Sequence, residues 1–127
     1  MTFEQLQEKV LSWADDKDLL HSENADKQFM KFIEEVFEFR ESLIIIKNVG
    51  QMINQFKEQG INVYFRENLV KDMMLEMGDI FVTLIILCEQ IGIDPVECLS
   101  MAYDKIKDRK GKTLHGTFVK EEDLIDE

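Results

Sequence analysis

Residues 80–87, Ile-Phe-Val-Thr-Leu-Ile-Ile-Leu, carry one hydroxyl and otherwise only apolar side chains. Wound into a helix, such a run is apolar on nearly every side, and a helix of that kind belongs inside a packed bundle. Immediately before it comes Glu76-Met-Gly-Asp79. A spacing of three places the carboxylates of Glu76 and Asp79 on one helix face, about one turn apart. Two acids are therefore carried at or beside a core, where an ionised carboxylate is costly unless it is paired or binds a metal. Upstream, Glu35 and Glu38 repeat the spacing beside the apolar stripe of Phe29, Phe32, Ile33, Val36 and Phe37.

Composition agrees with a helical, globular chain. Its 127 residues suit one domain with a real core. Apolar residues make up 45% and charged residues 32%, which argues against disorder. One Pro and six Gly leave few breaks, which favours long helices. The net charge of −11 opposes binding to nucleic acid backbones. Cys88 and Cys98 lie in apolar helical contexts and fit reduced thiols of a cytoplasmic protein better than a zinc site. The first residues lack the basic-then-apolar pattern of a secretory signal. The run from Ile80 to Cys88 is far short of the ~20 residues that span a bilayer, so no membrane partner is expected.

Along the chain, Phe3, Leu6, Val10 and Trp13 mark a first helix over 2–14, with Thr2 as its cap. Residues 15–24 read as a polar loop. A second helix starts near Ala25, and Asn48 with Gly50 permits a break or kink in it. The pattern is helical again over 51–59, with Gly60 as a stop. Residues 61–65 lean toward β but have no strand to pair with, so an extended connector is expected. A third helix runs from about Glu67 to Ile91 and stops at Gly92. Asp94-Pro95-Val96-Glu97 opens a fourth helix with a cap, a first-turn Pro and an acid. Five of the eight residues 105–112 are basic, and Gly111 is the expected stop. The tail, 113–127, reads as an arm rather than a core element.

If the two acidic helices pack side by side, four carboxylates converge, and four negative charges cannot share a site uncompensated. Mg²⁺, or else Mn²⁺, is the natural counter-ion for an all-oxygen donor set. Either pair taken alone is also compatible with a solvated helix surface. A di-iron bundle would need Glu-x-x-His on two helices. His21 and His115 are the only histidines, and neither follows a Glu at that spacing. The basic run around Lys105 and Arg109 has two readings. It either complements a helix C-terminus electrostatically or, together with a carboxylate-held metal, clamps a polyphosphate. There is no GxxxxGK[ST] loop.

Three segments, EEVFE (34–38), EMGD (76–79) and AYDKIKDRKGK (102–112), together resemble the MazG-like all-α nucleoside triphosphate pyrophosphatases. These are relatives of the dimeric dUTPases and of phosphoribosyl-ATP pyrophosphatase. The likeness extends over about residues 10–122 and is greatest to short single-domain versions from phages and bacteria. It implies a four-to-five-helix bundle assembled as a homotetramer or, failing that, a dimer. It also implies a (deoxy)nucleoside triphosphate substrate, cut to the monophosphate and pyrophosphate to cleanse the nucleotide pool. Glu35, Glu38, Glu76 and Asp79 would bind Mg²⁺, and Glu34 would orient the attacking water or support the metal ligands. Lys105 and Arg109 would contact phosphates. Lys31 and Gln28 would line the pocket, and Trp13 would stack on the base or else belong to the core.

Two features depart from the family pattern. Thirty-seven residues separate Glu38 from Glu76, so 47–66 look like an insertion. Asp104 stands where relatives often have Asn, and an acid there would repel phosphate unless it is turned away or meets the metal. A rival reading is a non-enzymatic helical interaction protein with surface carboxylates. A second is a phosphoribosyl-ATP pyrophosphatase.

Overall fold

A computed structural model describes residues 1–55 and 63–124, with side chains for 1–51 and 68–124. Among these residues are four α-helices: α1 (Phe3–Asp16), α2 (Ala25–Gln55), α3 (Val63–Ile91) and α4 (Pro95–Ile106). Two short strands follow, β1 (Gly111–Leu114) and β2 (Thr117–Lys120). The all-α class expected for the chain holds, with a terminal hairpin added to it. Contacts divide the chain into two compact units, Met1–Asp94 and Pro95–Glu127. No helix among the described residues is long and apolar enough to cross a membrane.

In the first unit, α1 opens on a capping box. The Thr2 hydroxyl accepts from the Gln5 amide at 3.1 Å, and the Gln5 side-chain oxygen accepts from the Thr2 amide at 2.8 Å. α1 closes on a Schellman pair, Asp18 N–H to Asp15 O and Leu19 N–H to Ala14 O, both 2.9 Å. Asp18 takes the left-handed position with φ 58°. α3 closes the same way. Ile93 N–H donates to Cys88 O at 2.9 Å, and Gly92 at φ 77° sits where the sequence places it.

α2 and α3 form an antiparallel pair. Gln28 on α2 bonds to Thr83 on α3, while Phe39, Ile46 and Val49 share a groove with Met77, Met73 and Leu69. α2 runs unbroken through Asn48 and Gly50. A mid-helix Gly costs only about 1 kcal/mol relative to Ala, and packing along α3 is what holds a long helix together. The expected extended connector is corrected in part. Val63, Tyr64 and Phe65 are the first turn of α3, because β-branched and aromatic residues disfavour helix by only a few tenths of a kcal/mol. The expected helical segment 56–59, the stop at Gly60 and the connector residues 61–62 lie outside the described residues.

The apolar run of α3 provides much of the core. Ile85, Ile86 and Cys88 are buried with Ala14 of α1, whereas Phe81 stays nearly half exposed beside Phe3. Cys88 is buried and outside any disulfide, as the sequence suggests, but Cys98 is exposed.

In the second unit, α4 ends at Ile106, and Gly111 is a strand residue rather than a helix stop. Residues 111–120 form a hairpin. Gly111 pairs with Lys120 and Leu114 with Thr117. His115 and Gly116 connect the strands at φ 52° and 79°, the two positive angles of a type I′ turn. A Cβ on Gly111 would overlap the Val119 carbonyl and the Phe118 ring, so this position is restricted to Gly by space. A 3-10 turn, Glu121–Asp123, completes the unit.

Candidate functional site

Glu35 points from α2 into the α2–α3 interface and is 8% exposed. Its Oε1 lies 3.6 Å from Lys31 Nζ, one turn back on the same helix, and its buried Oε2 has no hydrogen-bond partner. Its pKa is raised above the ordinary carboxyl value of 4.5. Burial is the largest cause. A hydrogen bond to Glu38 follows, then the negative charges of Glu38 and Asp79, while Lys31 pulls the other way. Across the interface, half-buried Glu76 on α3 has a second buried carboxylate oxygen without a partner, its Oε2. Glu38 and Asp79 are exposed.

The helix pairing thus brings Asp79 within electrostatic reach of Glu35, as Glu38 already is on its own helix, and sets Glu76 on the facing helix. Among the described residues, no three His, Cys, Asp or Glu side chains already stand at metal-ligand spacing. The donor set nevertheless fits a hard cation. All four groups are carboxylates, and two of them hold buried oxygens that no hydrogen bond satisfies.

The neighbours expected from sequence fall into three places. Lys31 bridges Glu34 and Glu35 at 3.6 Å each, and Glu34 is exposed. Gln28, two turns before Glu35 and so about 10 Å along the axis, donates to Thr83 O at 3.1 Å. It acts there as a tie between α2 and α3. Trp13 stands half exposed on α1. Lys105 and Arg109 belong to the second unit, where Asp104, Asp108, Lys110 and Lys120 join them around an open hollow of about 600 Å³. Asp104 is engaged by Lys107 at 3.3 Å, which draws its charge toward a cation on its own helix.

Two contributors have no local signature in the chain. Thr83 turns its hydroxyl back to Ile80 O at 2.8 Å, and its carbonyl accepts from Gln28. Gln90, buried near the end of α3, donates to Leu19 O at 2.7 Å and ties the α1–α2 connection to α3. Only the run of Thr83 within an apolar helix hints at either of them.

No protein-family model, curated protein or solved structure matches the chain. The likeness to the MazG-like pyrophosphatases therefore rests on the three quoted segments alone.

Proposed function

We propose that the chain is a Mg²⁺-dependent nucleoside triphosphate pyrophosphohydrolase acting between the α and β phosphates of a (deoxy)nucleoside triphosphate. The observation that carries this reading is that α2 and α3 each hold a buried carboxylate oxygen without a hydrogen-bond partner, Glu35 Oε2 and Glu76 Oε2, with the charges of Glu38 and Asp79 acting on Glu35. Glu35, Glu38, Glu76 and Asp79 would hold the ion. Mg²⁺ bound there would neutralise phosphate charge and lower the pKa of a coordinated water. Exposed Glu34, restrained by Lys31, is the group available to orient that water. Water adds to the α-phosphorus, the bond to the bridging oxygen breaks, and monophosphate and pyrophosphate leave. Lys105 and Arg109 would bind phosphate oxygens, and Trp13 would stack on the base. The same reading takes the protein as cytoplasmic and as a homo-oligomer, a tetramer or a dimer.

A second reading, a non-enzymatic helical interaction protein, is favoured by the many large apolar side chains left exposed on α2 and α3. Pyrophosphate release across the common NTPs and dNTPs, with Mg²⁺ and with EDTA, separates the two. The hydrolase gives metal-dependent release, and Glu76→Gln lowers both Mg²⁺ affinity and turnover by at least on the order of 100-fold, above what loss of an outer-shell partner costs. Folded protein with no release on any substrate favours the interaction reading.

A further inference from the structure

A cleft of about 280 Å³ lies where the start of α2 and the end of α3 meet the connection from α1. Leu19, Asn24, Lys27, Gln28 and Gln90 line it. Its volume falls just below the roughly 300–1,000 Å³ that drug-sized ligands occupy, so it suits part of a molecule, such as one heterocyclic base. Four of the five lining side chains are polar, and none of them is a carboxylate.

Two of these side chains have a fixed orientation. Gln90 donates from Nε2 to Leu19 O at 2.7 Å, and Gln28 donates from Nε2 to Thr83 O at 3.1 Å. A backbone carbonyl only accepts, so in both glutamines the nitrogen faces it and the oxygen is what remains. Gln90 is 6% exposed, and its Oε1 is buried without a partner. A buried amide oxygen of this kind calls for an N–H or O–H donor. Lys27 adds an ammonium, which only donates, while Asn24 can donate or accept. The cleft therefore offers two oriented acceptors and one obligatory donor.

The bases differ in what their pairing edges require. Guanine presents two adjacent donors, N1–H and the N2 amine, and one acceptor, O6. Cytosine and uracil each present one donor and two acceptors, and adenine presents one of each. Only guanine matches two acceptors and a donor. We propose that this cleft seats a guanine base, with the oxygens of Gln90 and Gln28 accepting from its amine and N1–H and Lys27 donating to O6. Gln28 stands about 10 Å along α2 from Glu35, a span for the sugar and α-phosphate that join the base to the metal ligands. The assignment rests on the nucleotide reading above and names the base that it leaves open.

The test titrates the full chain by calorimetry with the 5′-monophosphates of guanosine, inosine, adenosine, cytidine and uridine in EDTA, so that no metal chemistry enters. The guanosine nucleotide should bind tightest. The inosine nucleotide keeps N1–H and O6 but lacks the amine, and should bind about 5- to 100-fold more weakly, the cost of one buried acceptor left unmet. In amide NMR spectra the side-chain signals of Gln28 and Gln90 should shift with the guanosine nucleotide, while Gln5 in the α1 cap stays in place. Lys27→Met, at an exposed position, should fold as the parent does and weaken the guanosine and inosine nucleotides alike, since both carry O6. Equal binding of all five nucleotides overturns the proposal, as does no binding, which leaves a cleft filled by water. Binding that leaves the Gln28 and Gln90 signals unmoved also overturns it. Metal-dependent pyrophosphate release with no preference for GTP or dGTP keeps the hydrolase and overturns the guanine seat. Guanosine-selective binding at Gln28 and Gln90 without pyrophosphate release from any substrate keeps the seat and refutes the hydrolase.

Discussion

Replacing Glu35 by Gln keeps the shape of the side chain and removes its charge. In the fold this carboxyl is buried, one of its oxygens lacks a partner, and Glu38 and Asp79 add negative charge nearby. Its folded pKa lies above the ordinary 4.5. The folded state therefore holds the proton more tightly than the unfolded chain does. Below 4.5 both states are protonated, and Glu35 contributes no pH dependence. As pH rises from 4.5 through the folded pKa, stability falls, and the full penalty persists above it.

A buried polar atom left without a partner, as Glu35 Oε2 is, costs about 1–3 kcal/mol. Unfolding entropy of about 2.1 cal/mol/K per residue makes 1 kcal/mol worth about 4 °C for a chain of 127 residues. Glu35→Gln should then raise Tm by roughly 4–11 °C in EDTA at pH 7.5, and by little at pH 4. Circular dichroism melts at the two pH values read this directly. Adding Mg²⁺ at ten times its Kd should stabilise the parent by about 1.4 kcal/mol and the variant by less. A variant that melts below the parent at pH 7.5 without metal would refute the reasoning. The ion pair with Lys31 would then outweigh burial, and Glu35 would be a structural residue.

Three further outcomes follow from the local geometry. Gly111→Ala should open the hairpin, since overpacking of this kind costs about 1–3 kcal/mol; loss of the cross-strand NOE between Lys112 and Val119 would report it. The His21 pKa is raised, chiefly by its hydrogen bond to Asp18 and the charge of that residue, then by Glu23. Its contribution to stability is complete below 6.5 and is lost as pH rises through the folded pKa. In an NMR titration Asp18→Asn should bring the His21 midpoint back toward 6.5, and an unchanged midpoint would reject that cause. Thr2→Ala removes one half of the α1 capping box and should cost about 1 kcal/mol, measured by denaturant melts.

The chain announces its helices through local chemistry. The cap at Thr2, the stop at Gly92 and the Asp94-Pro95 start are each decided within a few residues, and the structure has them at those places. The i, i+3 spacing of Glu35 with Glu38 and of Glu76 with Asp79 is equally legible, because helix geometry alone fixes it. The His115-Gly116 turn was open to the same reasoning, since Gly and a neighbour tolerant of positive φ mark a hairpin.

Other features were settled only when the helices packed. Which acid is buried depends on where α3 lies across α2. Glu35 and Glu38 look alike as letters, yet one is enclosed and the other stands in solvent. Thr83 and Gln90 become ties because carbonyls and amides distant in sequence come within bonding distance. Gly78 reads in the sequence as room for a packed helix, and in the fold that room is empty. Periodicity says that a face is apolar; what covers it is decided by partners far along the chain or outside it.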